Sequence, residues 1–332
     1  STYIKSGIPL TDSIKILMNQ MGSKSKKQTM QAVAYELTLG NSFSNALEKQ
    51  SGVFPPLLIN MLKAAEATGD LEATLDDMAS YYTEIDSTNK QMVSALTYPI
   101  IVSIFAIGVV VFIILYVVPK FTKIYESNGM KLTGLTKFII DLSNFLTKNY
   151  SVMLLGIIAV VGTFIYCYKK IKAFRRTVQV ILMKIPVIKD IIIYNEITVF
   201  TKTFASLLKN NVFITESIDI LSKITNNEIY KEIMATTIDN IARGDKISTA
   251  FKDHWAVPSV AYYMIVTGES TGELAQMLDK VSQYYQEQHR AIVSNLKALI
   301  EPILIAGLAI VVGGIILAVI VPMFDMYGEL AG

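Results

Sequence analysis

The chain has 332 residues, of which 52% are hydrophobic and only 17% are charged. Soluble domains are rarely this apolar, so the mean hydropathy of +0.43 indicates membrane segments. The net charge of +2 gives no indication of a nucleic-acid partner, and the single cysteine, Cys167, excludes an internal disulfide.

The first 97 residues have the periodicity of amphipathic helices. Two stripes of apolar side chains follow helical spacing, at Leu10, Ile14, Leu17 and Met21 and at Leu71, Leu75, Met78 and Tyr82. Such stripes have to be buried against partner helices. Residues 1–97 are therefore predicted to form a small helical bundle with short connections.

Three long apolar runs come next, and each is about long enough to cross a bilayer as a helix. The predicted transmembrane helices are residues 98–118, 151–168 and 301–322. The segments between and after them are a predicted external loop at 119–150, a second cytoplasmic bundle at 169–300 and a short external tail at 323–332. We therefore expect an all-α polytopic membrane protein with two bundles and three spans.

Basic residues set the predicted orientation. The segment 169–176, directly after the second span, carries five Lys or Arg, and cytoplasmic segments are rich in these residues. Alternation of the spans then places both bundles in the cytoplasm and the C-terminus outside. The loop 119–150 contains five Lys and two acidic residues, which would favour the opposite orientation. These charges are less concentrated than those of the 169–176 segment.

The two bundles are copies of one another. The stretch "EATGDLEATLDDMASYY" from Glu66 reappears 203 residues later as "ESTGELAQMLDKVSQYY" from Glu269. A shift of 204 aligns the earlier part of each copy. Each copy continues into a span at its end, the first or the third, and one further span lies between the copies, so both cross the membrane in the same direction and are parallel repeats. Ser1 aligns with Ala205, so we expect that an N-terminal segment of the first repeat is missing.

Glu66 and Glu269 are the candidate site residues of the two repeats, together with Gly69 and Gly272. Glycine accepts the left-handed conformation that ends many helices. One interpretation makes each glutamate a contact or ion site at the tip of its bundle. The other makes it a structural residue in the last turn before a glycine cap, although a negative charge there is mildly unfavourable.

Further candidate structural residues lie where the bundles enter the spans. Pro99 follows Tyr98 at the start of the first span, and Pro302 follows Glu301 at the start of the third. Proline disfavours helical geometry in the preceding residue. Glu301 is either solvated at the interface or paired with a cation of a partner subunit. Candidate helix-packing residues in the third span are two small pairs four apart, Ala309 with Gly313 and Gly314 with Ala318.

Enzyme chemistry has no support in the sequence, and no cofactor, metal or nucleic-acid site is predicted. His254 and His289 lack a framework of metal-ligand spacing and are interpreted as surface groups. The segment "GDKIST" from Gly244 lacks the glycine and lysine spacing of a P-loop. The spans carry no ionisable residue at mid-depth, which argues against a solute pathway through a single chain.

The "GE-x-x-G-x-L" pattern, complete from Gly268 and with Ala65 in place of glycine in the first copy, resembles the GspF/PilC family. The runs "FPPLLINMLKAAEATG" from Phe54 and "LIEPILIAGLAIVVGGIILAVIVPMF" from Leu299 carry the same resemblance. These are inner-membrane platform proteins of type II secretion systems and type IV pili. Thr133 departs from the family, which commonly has proline there.

The resemblance implies two six-helix cytoplasmic bundles and a non-enzymatic role in filament assembly. It further implies a cytoplasmic assembly ATPase and a pilin or pseudopilin as partners, along with other inner-membrane components, membrane lipid and a second copy in a homodimer. An alternative function is a subunit of an oligomeric membrane transporter or conduit.

Overall fold

A computed structural model describes residues 1–127 and 134–331, with the side chains excepted at 95, 96, 125, 126, 135, 297, 322, 323 and 325–331. Thr133 lies outside the described residues. Throughout these ranges the chain forms helices and their connections and contains no strand. The prediction of an all-α protein is confirmed.

The first repeat consists of six helices joined by short connections: α1 (Thr2–Lys5), α2 (Leu10–Gln20), α3 (Lys24–Thr38), α4 (Phe43–Glu48), α5 (Pro56–Thr68) and α6 (Leu71–Phe112). Helix α5 begins with proline at its first position, where the missing N–H is not needed. Helix α6 continues through Pro99 into the first apolar run.

The predicted external loop is largely helical. A π-helical turn (Ile113–Val117) leads into α7 (Val118–Ser127), and α8 extends over Gly134–Lys170. The chain is helical before residue 151 because this segment has an apolar face to bury. Ile139 and Ile140 on that face are both buried. Asn149 (φ −113°, ψ 15°) interrupts the helical geometry of α8, two residues before the predicted start of the second span.

The second repeat has the same order of helices, with the end of the longer α10 in the place of α1, and it is preceded by one further helix, α9. Its elements are α9 (Lys172–Leu182), α10 (Ile188–Lys209), α11 (Ile214–Ile224), α12 (Glu228–Ala242), a 3₁₀ turn (Ile247–Phe251), α13 (Ser259–Thr271) and α14 (Leu274–Ala331). The 3₁₀ turn occupies the place of α4 in the first repeat. Helix α14 is continuous through Pro302.

The chain divides into two compact units. The first unit contains residues 1–89 and 176–292, and the second contains residues 90–175 and 293–332. Most of each predicted bundle therefore lies in the first unit, whereas residues 90–97, 169–175 and 293–300 belong to the second. The largest hydrophobic core of the first unit includes Met61 and Met78 from the first repeat and Ile197, Phe204 and Leu278 from the second.

The second unit has a smaller core of its own, formed by Ile114, Val118, Ile139, Ile140, Ile315 and Ala318. Two hydroxyl groups reinforce it: Ser143 Oγ donates to the carbonyl of Ile114 at 2.5 Å, and Thr136 Oγ1 donates to the carbonyl of Ala318 at 2.8 Å. Hydroxyl-to-carbonyl bonds between apolar helices join the segments without leaving a polar group unpaired.

Within the described ranges, four helical segments are long and apolar enough to cross a membrane by length and composition: 71–124, 136–170, 188–209 and 274–321. The sequence predicts three. The additional one is α10, half of whose most apolar window is buried inside the protein, against 11% or less in the other three. Because its apolar side chains already pack in the core of the first unit, we assign α10 to the bundle.

Candidate functional site

The carboxylate of Glu66 holds the start of the short helix α4. It accepts a hydrogen bond from the backbone N–H of Phe43 at 2.5 Å and one from the N–H of Ser44 at 3.3 Å. The hydroxyl of Ser44 donates to its second oxygen. The first N–H groups of a helix have no partner within the helix. Glu66 therefore supplies acceptors to α4 from the last turn of α5, across 23 residues of sequence.

Glu269 makes the same arrangement in the second repeat. It accepts from the N–H of Ile247 at 2.6 Å and from the N–H of Ser248 at 3.3 Å, and the Ser248 hydroxyl donates to it at 2.6 Å. The positive end of the helix dipole favours a carboxylate at this point. We call each glutamate with its serine a carboxylate cap.

Gly69 and Gly272 end the helices that carry the two glutamates. Their φ angles are +79° and +77°, in the left-handed region, where a side chain costs about 1–2 kcal/mol. Each lies three residues after its glutamate. The glycine stops the helix and turns the chain, so that the glutamate in the last turn is left at the helix end beside the neighbouring element.

Gly268 is needed for a different reason. A Cβ atom built there would lie 2.8 Å from the Cα of Leu274, at the start of α14. Helices α13 and α14 thus approach closely at this point, and any side chain would force them apart. In the first repeat Ala65 occupies the equivalent position and is itself buried, with 2% of its surface exposed.

The partners of the glutamates, Ser44 and Ser248, are residues that sequence reasoning missed. They align at a shift of 204, whereas the glutamates align at 203. The signal was present in the common pattern of "GNSFS" from Gly40 and "GDKIS" from Gly244. Both oxygens of each carboxylate are engaged within their own repeat, and the described residues contain no group of three or more potential metal ligands.

Polar contacts join the two repeats inside the first unit. The hydroxyl groups of Tyr81 and Thr203 lie 2.7 Å apart, both in buried side chains. Burial raises the pKa of the Tyr81 hydroxyl, which therefore stays protonated and can donate or accept. Sequence reasoning did not predict this pairing of α6 with α10.

Two further contacts connect α6 to α10. Thr74 Oγ1 donates to the side-chain oxygen of Asn210 at 2.9 Å, near the C-terminus of α10. Lys202 forms an ion pair with Glu84, and only 17% and 34% of these side chains are exposed. Together with the Tyr81–Thr203 pair, these contacts run along α6 from its first turn to its fourth, and they fix the second repeat against the first.

The predicted residues at the span entries come together in the second unit. Tyr98 donates a hydrogen bond to Glu301 at 3.4 Å. These two residues occupy the same place in the two repeats, since their separation is 203 residues. Helices α6 and α14 therefore meet at equivalent positions. Pro99 is buried beside this contact, and Pro302 is exposed.

The four small residues of the third span have unequal environments. Ala318 is buried in the core of the second unit, and Gly313 and Gly314 are partly exposed. Ala309 is exposed. The structure thus brings only Ala318 of this set into the packed core.

The interpretation of both histidines as surface groups is wrong for His289, of which 3% is exposed. It lies on α14 one turn beyond the buried Tyr285 and shares its face. His254 is partly buried in the loop before α13, and its Nδ1 accepts from the N–H of Ala256 at 3.2 Å. Burial lowers the pKa of His254, although the carboxylate of Glu232 acts in the opposite direction.

The sequence model of the type II secretion system protein F family matches two stretches of the chain, residues 1–119 and 200–322. These stretches correspond to the two repeats and cover more than half of the chain. The chain belongs to the type II secretion system protein F family. Family membership and the long apolar helices make it a multi-pass protein of the inner membrane.

Similar proteins have been named in several bacteria. A type IV pilus assembly protein PilC of Pseudomonas aeruginosa is 29% identical over all of this chain and 88% of its own length. A PilC of Myxococcus xanthus is 30% identical over 99% of this chain and 79% of its own length. A type II secretion system protein F of Xanthomonas campestris is 29% identical over 98% of this chain and 80% of its own length.

Proposed function

We propose that this family member is a non-enzymatic platform in the inner membrane for the assembly of a type IV pilus or a type II secretion pseudopilus. The names of its relatives support this role. The single observation that carries the proposal is that residues of both repeats contribute to one large core and that each repeat sends a continuous helix, α6 or α14, into an apolar segment.

This architecture suits the transmission of motion. A force on the first unit acts on both repeats together, because the shared core and the α6–α10 contacts oppose their separation. Protein interiors are close-packed and transmit strain rather than absorb it. Helices α6 and α14 then carry a displacement towards the membrane without an intervening loop.

A separate cytoplasmic ATPase supplies the energy in this proposal. The sequence contains no P-loop motif, and the candidate glutamates are used as carboxylate caps. The first unit would offer its surface to the ATPase, and the membrane segments would guide a pilin or pseudopilin out of the bilayer. The platform would act as a homodimer together with other inner-membrane components of the same system.

The proposed orientation places the first unit in the cytoplasm and the C-terminus outside. Its support is the basic segment 169–176, which follows the second span and is typical of a cytoplasmic flank. An ATPase in the cytoplasm can reach the bundles only in this orientation.

Deletion and complementation test the proposal. Cells that lack this chain but still make pilin and ATPase should have no surface filaments and should not secrete the corresponding substrates. Wild-type chain should restore assembly. Filaments in normal number on cells without the chain would contradict the platform role. Selective solute flux through vesicles that contain only this chain would instead favour a transport function.

A further inference from the structure

Helix α9 is amphipathic and begins almost where α8 ends, since only Ile171 separates α8, which ends at Lys170, from Lys172. Its apolar side chains follow i, i+4, i+7 and i+8 spacing, at Phe174, Val178, Ile181 and Leu182. At about 100° per residue, these positions share one face of the helix. Arg176 and Gln179 lie on the opposite face.

Contacts with α12 hold the polar face of α9. Arg176 makes a two-point ion pair with Glu232, with distances of 2.7 and 3.0 Å. Gln179 donates to the carbonyl of Asn226 at 3.0 Å and accepts from the N–H of Glu228 at 2.8 Å. Because these bonds fix the rotation of α9 about its own axis, the apolar face is directed away from α12.

The apolar face of α9 is exposed to solvent at the C-terminal end of the helix, next to the following turn. No residue of α9 is buried, and Ile181 is 56% exposed. The exposed apolar surface continues past the end of the helix. We call the following set the α9 patch: Ile181, Leu182, Ile185, Val187 and Ile188, each at least 36% exposed. Contiguous apolar surface of this kind marks a binding face for a protein or a membrane.

The charges around the α9 patch have one sign. Residues 169–189 contain seven Lys or Arg and no Asp or Glu. Lys169 and Lys170 precede the helix, Lys184 lies in the turn between α9 and α10, and Lys189 is the second residue of α10; all four are exposed. A surface that is apolar in the centre and basic at both ends is complementary to a bilayer interface with anionic headgroups.

We propose that α9 and its following turn bind the membrane surface, with the α9 patch inserted at the level of the headgroups and the flanking lysines on anionic phospholipid. The short link to α8, a helix apolar enough to span the membrane, keeps the start of α9 at the bilayer. The basic residues from which the topology is predicted thus also bind anionic lipid and hold the first unit at the membrane surface. This inference does not depend on the filament proposal.

The test uses the full chain in lipid vesicles with a nitroxide probe on Ile181→Cys, in a Cys167→Ser background. Two matched probes replace exposed apolar residues elsewhere: Ile158→Cys in the second predicted span and Val53→Cys in a loop of the first unit. Collisions with oxygen report lipid exposure, and collisions with a soluble nickel chelate report water exposure. All three probes replace exposed side chains and leave the core intact.

In vesicles that contain phosphatidylglycerol, the probe at 181 should be more accessible to oxygen and less accessible to the nickel chelate than the probe at 53, with a depth shallower than that of the probe at 158. Replacing Lys184 and Lys189 with Gln should lower the ratio of lipid-inserted to water-exposed states at 181 roughly five-fold per lysine, and Lys252→Gln should not change it. A probe at 181 as water-exposed as the one at 53 would overturn the proposal. Shielding from both reagents would also overturn it, because a second copy or another protein would then cover the patch.

Discussion

The hydroxyl of Tyr81, on the last helix of the first repeat, lies 2.7 Å from the hydroxyl of Thr203 on α10 of the second repeat. None of Thr203 is exposed, so neither hydroxyl can exchange this partner for water without local opening. A buried polar pair between repeats is costly to separate. The pair therefore stabilises the packing of the two repeats against each other.

Tyr81→Phe should lower the free energy of unfolding of the detergent-solubilised chain by about 1–3 kcal/mol, since it leaves the Thr203 hydroxyl buried and unpaired. The matched control is Tyr284→Phe, because Tyr284 is the counterpart of Tyr81 in the second repeat and is 46% exposed. The control should change stability by less than about 0.5 kcal/mol. Equal effects of the two substitutions would show that the inter-repeat bond contributes nothing.

Removal of the charge from a carboxylate cap should destabilise its repeat. Glu66→Gln and Glu269→Gln should each cost about 1.5–3 kcal/mol, because hydrogen bonds to a charged group are lost and an amide N–H₂ is brought towards backbone donors. Glu273→Gln is the control, since Glu273 is exposed next to the same turn. Denaturant unfolding measures all three. An unchanged Glu269→Gln variant would argue against the structural role of the cap.

The close approach of α13 to α14 predicts an unusual cost for a small substitution. Gly268→Ala should destabilise the chain by about 1–3 kcal/mol, because the nearest atom to the added methyl, at 2.8 Å, is the backbone Cα of Leu274, and the Cβ of Met277 lies at 3.0 Å. Gly22→Ala is the comparison, since its Cβ would have no atom within 4 Å. A Gly268→Ala variant as stable as Gly22→Ala would mean that the helices lie farther apart.

His254 should make stability depend on pH. Its pKa is lowered by burial below the ordinary value of 6.5, so the unfolded chain binds a proton before the folded chain does. The contribution of His254 to stability is therefore complete above pH 6.5 and is lost as the pH falls from there through the folded-state pKa. His254→Asn should lose less stability than wild type across this window, and Lys252→Gln should follow wild type.

The helical nature of the chain, its internal repeat and its long apolar segments could be predicted from the sequence, because periodicity and composition are local properties. The glycines at 69 and 272 were recognised as helix ends for the same reason. The partners of Glu66 and Glu269 could not be found in this way. They lie more than 20 residues away along the chain. A local sequence pattern does not indicate which helix N-terminus a carboxylate will contact.

Packing between the repeats was also out of reach of the sequence. Helix α10 is apolar enough to resemble a span, and only its burial against α6 and α14 shows that it is a bundle helix. His289 is a different case, because its position four residues after Tyr285 places it on the same face of the helix, and this periodicity is visible in the sequence. The exposure of the apolar face of α9 could not be predicted either, because it depends on the packing of α12 against the opposite face.

The proposed platform role requires contact between this chain and a cytoplasmic ATPase. The decisive measurement is binding of the hexameric assembly ATPase from the same system to the full chain in lipid nanodiscs, followed by sedimentation. If the chain is the platform, a saturable complex should form through the first unit. Folded chain in nanodiscs that never retains an active ATPase, at any nucleotide state, would contradict the platform role.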